Sequence, residues 1–270
     1  MKTFNIIFVG MISLLVFGMA ANVFALNLGT NITVYDGSSS KDTGWYGKNE
    51  DNEVEPGCEQ AQSWDLEGFF LTGNDLQVIG GFDFLNGNKG ILVGDVFIDI
   101  DGAFDPNSYT MQSNGQKDIS NNFGYEYVFD LDVENGTYEL YDISGGGVTT
   151  TVYYKSNYLS NPYRYVDGGI KIGSGSLSYL AGLSDSQVNN LSGGLHYALL
   201  GLDLNFIAGK DFTAHLTLGC GNDNLMGSGT VPFMSPAPAT VAEPATMILL
   251  GLGLVFLGGI SRKRIKKDQS

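Results

Sequence analysis

Residues Trp64-Asp65-Leu66-Glu67-Gly68-Phe69-Phe70-Leu71 run through Thr72-Gly73-Asn74-Asp75 into Leu76-Gln77-Val78-Ile79-Gly80-Gly81-Phe82-Asp83-Phe84. Two stretches rich in aromatic and branched residues flank a cluster of turn-forming types, which is the signature of paired strands. The same pattern recurs outward in both directions. Strands are expected over Ile32 to Tyr35, Asp95 to Ile100, Tyr125 to Leu131, Thr137 to Ile143 and Val148 to Tyr154. Further ones are expected over Tyr163 to Ile172, Leu195 to Phe206 and Phe212 to Leu218. About ten short strands separated by Gly, Asn, Asp and Ser, with helical periodicity scarce, predict an all-β antiparallel β-sandwich. Ser184 to Leu191 is the one expected short helix, capped by Ser184. The glycine-rich Ser144 to Gly147 and Gly173 to Ser176 read as turns.

The two ends of the chain have a different character. Lys2, the apolar run Ile6 to Phe17 and the small residues of Val23-Phe24-Ala25 have the anatomy of a secretory signal peptide over residues 1–25. The alternative for this end is an uncleaved anchor. Residues 26–230 are the expected β-sandwich domain, and residues 231–244 are a linker enriched in proline. From Ala245 to Ile260 the chain is apolar, and Arg262, Lys263, Arg264, Lys266 and Lys267 follow. Sixteen helical residues span about 24 Å, the short end of a bilayer core. Basic residues after the span hold the C-terminus in the cytoplasm, so the domain before it is expected outside.

In this tail the chain resembles the PEP-CTERM family of exosortase substrates. Glu243-Pro244-Ala245-Thr246, Leu249-Leu250-Gly251 and the Arg262 to Lys267 cluster match, with Ala242 in place of the motif's first proline. The resemblance implies an exosortase-type membrane protease as partner. It also implies an inner-membrane intermediate and delivery to the cell surface or extracellular matrix of an exopolysaccharide-making bacterium. It covers about thirty residues and speaks of sorting, not chemistry. Trp64-Asp65-Leu66-Glu67, Asn52 to Gly57 and His215 to Asn224 further resemble segments that recur in exported domains of that family.

Composition narrows the function. The net charge is −15 overall. Without the signal and tail, eight Lys and Arg stand against twenty-eight Asp and Glu, a net −20. Such a polyanion does not bind nucleic acid through phosphate contacts. The two cysteines, Cys58 and Cys220, favour a disulfide in an exported chain. It would close a loop of about 160 residues and contribute roughly 5 kcal/mol in the chain-entropy treatment. Two buried thiols are the alternative.

Candidate sites are few. On Gly94-Asp95-Val96-Phe97-Ile98-Asp99-Ile100-Asp101-Gly102, alternation puts Asp95, Asp99 and Asp101 on one face. Calcium with oxygen ligands would relieve their repulsion, with Glu53 and Glu55 among the upstream acids able to add ligands. The competing reading is a solvated acidic strand face. His215 is expected as a core or inter-strand hydrogen-bonded histidine in preference to a catalytic one. Asp65 and Glu67 have the spacing of a glycosidase carboxylate pair. No serine nucleophile elbow or zinc spacing is present, and no catalytic residue is assigned. Tyr153, Tyr154, Tyr158, Tyr163 and Tyr165 stand close in sequence and are either ordinary strand tyrosines or a platform for sugar rings. The expectation is a non-enzymatic structural or adhesive surface protein. A calcium-dependent carbohydrate-binding module acting on exopolysaccharide is the alternative, and a glycoside hydrolase the third reading.

Overall fold

The computed structural model describes residues 25–34, 61–105, 108–155 and 160–233. The signal segment, Glu53, Glu55, Cys58, Tyr158 and the sorting tail with Glu243, Pro244, Arg262, Lys263 and Arg264 lie outside the described residues. Among the described residues no helix is long and apolar enough to cross a membrane.

The described fold is all-β and antiparallel. One sheet takes the order β1-β2-β3-β12-β11, from β1 (Thr30–Asn31), β2 (Leu66–Thr72), β3 (Asp75–Gly80), β11 (Ser178–Leu183) and β12 (His196–Asp203). A second takes the order β10-β7-β6-β4-β13-β14. Its strands are β4 (Val96–Asp99), β6 (Tyr127–Asp132), β7 (Thr137–Asp142), β10 (Ile170–Ser176), β13 (Asp211–Thr217) and β14 (Asn224–Thr230). A small third sheet, β5-β8-β9, is built from β5 (Asp118–Ser120), β8 (Val148–Thr150) and β9 (Arg164–Asp167).

The opening hairpin shows why the chain pairs this way. Thr72 faces Asp75, leaving Gly73-Asn74 as a two-residue loop with Gly73 at φ +60°. That left-handed start suits glycine and lets the loop match the twist of the strands. Alternation then sorts the side chains. Leu66, Phe69, Leu76 and Val78 of the first sheet meet Val96, Ile98, Phe129, Leu140, Ala214 and Leu216 of the second in one buried cluster. This is the core of a sandwich.

Both outer faces are covered as well. Phe70, Ile79 and Ala198 turn away from the core and pack with Leu28, Leu183, Val188 and Leu191. Phe97 and Val128 turn outward on the second sheet and pack with Phe123, Tyr125, Ile143 and Tyr165. Burial on both faces explains why every residue of Val96–Asp99 is buried. The segment around β1 bridges the sheets at one edge. Ile32 N–H donates to Phe69 C=O at 2.9 Å, and Val34 N–H donates to Met226 C=O at 2.8 Å. At the opposite edge the chain passes from β10 to β11 through Leu177 and so changes sheets.

Three local expectations need correction. Tyr163 to Ile172 is two strands, because Gly168 (φ +86°) and Gly169 (φ +72°) turn the chain between β9 and β10. Gly173 to Ser176 is part of a strand and not a turn, its Gly175 paired to Tyr138. Ser184 to Leu191 forms only a 3-10 turn at Asp185–Gln187, since Asn189 and Asn190 adopt left-handed φ values of +58° and +60°.

Candidate functional site

The aspartates in and flanking β4 divide into two environments. Asp95 is fully buried, with Oδ1 accepting from Leu131 N–H at 2.9 Å and Oδ2 from Tyr165 N–H at 2.8 Å. Its carboxylate thus fastens β9 of the small sheet onto β6 of the large one. Burial, with the Asp130 charge adding to it, pushes this carboxyl up to about 7 against the pull of the two N–H groups and Arg164.

Asp99 and Asp101 belong to a different group, which Glu126 completes. One carboxylate oxygen from each lies within 4.8 Å of the others. Asp99 accepts from Gly102 N–H at 2.9 Å and from Ala103 and Phe104 N–H at 3.2 Å, which folds the following loop around it. Glu126 accepts from Ile100 N–H at 2.8 Å. Burial raises the Asp99 and Glu126 carboxyls, and the neighbouring acidic charges add to the rise. Asp95 is therefore not brought together with Asp99 and Asp101, and Glu126 was missed in the sequence. It sits beyond the near end of β6, where alternation along β4 gives no clue to it.

Asp65 and Glu67 do not line an open groove. They are 1 % and 0 % exposed. Glu67 Oε2 faces His196 Nδ1 at 2.7 Å, and Oε1 accepts from Gln62 Nε2 at 2.8 Å. The other ring nitrogen, Nε2, faces Asp185 Oδ1 at 3.0 Å. Two carboxylate acceptors on two ring nitrogens select the imidazolium, the only form with two donors. Burial alone would depress His196, but the hydrogen bonds and charges of Glu67 and Asp185 outweigh it and hold the group above its usual range. The triad ties β2, β12 and the Asp185–Gln187 turn together, and nothing in the spacing of the three residues announces it.

His215 is buried in an aromatic stack on the outer face of the second sheet. Its ring lies 5.6 Å from Tyr125 at 18° and 6.4 Å from Phe97. Neither ring nitrogen has a hydrogen-bond partner, so His215 is the expected core histidine without the inter-strand bond that was its alternative, and burial lowers its pKa to about 3.

The tyrosine-rich stretch also divides. Tyr163 and Tyr165 are buried, whereas Tyr153 and Tyr154 are each 46 % exposed. The exposed pair meets edge to face at 4.9 Å and 83°. With Trp64, Lys89, Ile91, Cys220 and Asn222 they line a cavity of about 360 Å³. Lys89 Nζ sits 5.7 Å from the centre of the Trp64 ring. Cys220 is buried here, and its expected partner Cys58 is beyond the described residues.

Comparison with known proteins finds no family model, no curated protein and no solved structure that matches this chain.

Proposed function

We propose that the chain is an exported cell-surface or extracellular-matrix protein, sorted and processed by an exosortase-type protease, with a non-enzymatic structural or adhesive role. The observation that carries the sorting half is the tail, Glu243-Pro244 followed by sixteen apolar residues and a basic cluster. Support for the non-enzymatic half comes from Asp65 and Glu67, the carboxylate pair with hydrolase spacing. Glu67 is engaged by His196 and Gln62, and both are closed to solvent. A retaining pair needs both carboxyls within reach of a sugar.

Calcium remains a second reading, favoured by the convergence of Asp99, Asp101 and Glu126. Position argues that such an ion would be a structural staple. The acidic group lies at the far end of β4, while the aromatic cavity lies near Val93, which bridges Leu218 just before Cys220. Six residues of extended chain separate the two ends by about 20 Å. That is too far for one ion to touch a sugar held by the tyrosines. Calorimetric titration of Ca²⁺ into chelator-stripped protein tests the staple: binding that raises the melting temperature and is lost in Asp99→Asn supports it, and no heat with no shift removes it.

The sorting half is tested by expressing the full chain in an exosortase-bearing, exopolysaccharide-making Gram-negative host. Surface or matrix recovery that depends on residues 242–270 supports the proposal. Equal recovery without those residues contradicts it.

A further inference from the structure

We infer that the cavity between Trp64, Tyr153 and Tyr154 is a binding site for a neutral pyranose unit of a polysaccharide, acting without calcium. The inference rests on the adhesive reading and gives it a ligand class. Cavities that hold small ligands begin at about 300 Å³, so about 360 Å³ suits one or two sugar rings. The chemistry of the lining is amphipathic in the way a sugar is. The half-exposed rings of Tyr153 and Tyr154 offer apolar surface to the C–H side of a pyranose and their hydroxyls meet its hydroxyls, while the buried Trp64 is part of the cavity wall. The Tyr153 and Tyr154 rings stand at nearly a right angle to each other, and Lys89 and Asn222 line the same cavity.

The tyrosines are not loose surface residues. Tyr153 N–H donates to Gly219 C=O at 2.9 Å, Tyr154 N–H donates to Cys220 C=O at 3.4 Å, and Tyr153 C=O accepts from Gly115 N–H at 2.7 Å. Their backbone is therefore pinned to the second sheet's β13–β14 turn, so binding does not have to order the chain that carries the rings.

Charge selects among polymers. The exported part carries a net −20, which repels polyuronates and sulfated chains. Lys89 stands over Trp64 within the lining, and its ammonium opposes a cationic ligand. A neutral ring is left as the best match.

The test is affinity electrophoresis of the full chain in detergent, in gels containing a neutral glucan, mannan or galactan, with polygalacturonate as the polyanionic control. Retardation in at least one neutral gel, unchanged by chelator and absent in polygalacturonate, is expected. Y153A/Y154A should weaken it by about tenfold or more, since each stacked ring contributes appreciably. Y153F/Y154F, which keeps the rings, should stay within about threefold of the parent. Melting curves should remain near the parent's for both, because the side chains are half exposed. No retardation in any neutral gel, retention by Y153A/Y154A, or loss on chelation overturns the inference. Sorting is read from the tail in cells, so either idea can fail while the other stands.

Discussion

Two histidines in one domain carry opposite pH signs. His196 is raised in the folded state, so its contribution is fully present below the unfolded value of about 6.5 and is lost as pH climbs through the folded value. His215 is depressed to about 3, so the unfolded chain takes up a proton that the folded chain refuses, and stability falls as pH drops from about 6.5 toward 3. Asp95, raised to about 7, weakens the fold as pH rises from the unfolded value of about 3.9 through neutrality. His215→Phe keeps the stack on Tyr125 and removes two unpartnered nitrogens. It should stabilise by about 1 kcal/mol at pH 7 and by more at pH 5, read from denaturant midpoints at both values. His196→Ala leaves Glu67 buried beside Gln62 without its cation, and should cost about 3 kcal/mol at pH 6 with a smaller loss at pH 8. An equal loss at both values would refute the charged triad.

At the scale of elements, legibility followed the side chains. Strands with bulky alternating residues, such as β2, β3, β7 and β13, stood out because burial on one or both faces demands those residues. β10 and β14 were obscure for a physical reason: each carries glycines where another element comes close. A Cβ added at Gly175 would collide with the ring of Tyr138, and one at Gly227 would fall 2.8 Å from Phe69 Cβ. Small residues that make room for a neighbour read as turns when the neighbour is unseen. Gly227→Ala should therefore cost about 2 kcal/mol by overpacking the β14–β2 edge, measured by urea unfolding. A neutral effect would mean that edge is looser than its contacts imply. The acidic site was legible only in part, since Asp99 and Asp101 share β4's period but Glu126 comes from another segment. The aromatic cavity draws on Trp64, Lys89 and Tyr153, far apart in sequence, and periodicity within one strand carries no word of it.

For the whole molecule, the fold and the route are separate matters. A two-sheet core covered on both outer faces is combined with a net charge of −15, which disfavours polyanion binding. The proposed address lies in the two ends of the sequence, and the proposed role joins it to the proposed sugar-binding cavity. The central claim is tested most directly by intact mass spectrometry of the full chain recovered from an exosortase-bearing host. The account predicts a mature protein beginning near Leu26 and ending near Glu243-Pro244, with residues 245–270 removed, and no such trimming at the tail in a host lacking the protease. A membrane-bound product that keeps its basic C-terminus in the presence of the protease would contradict it.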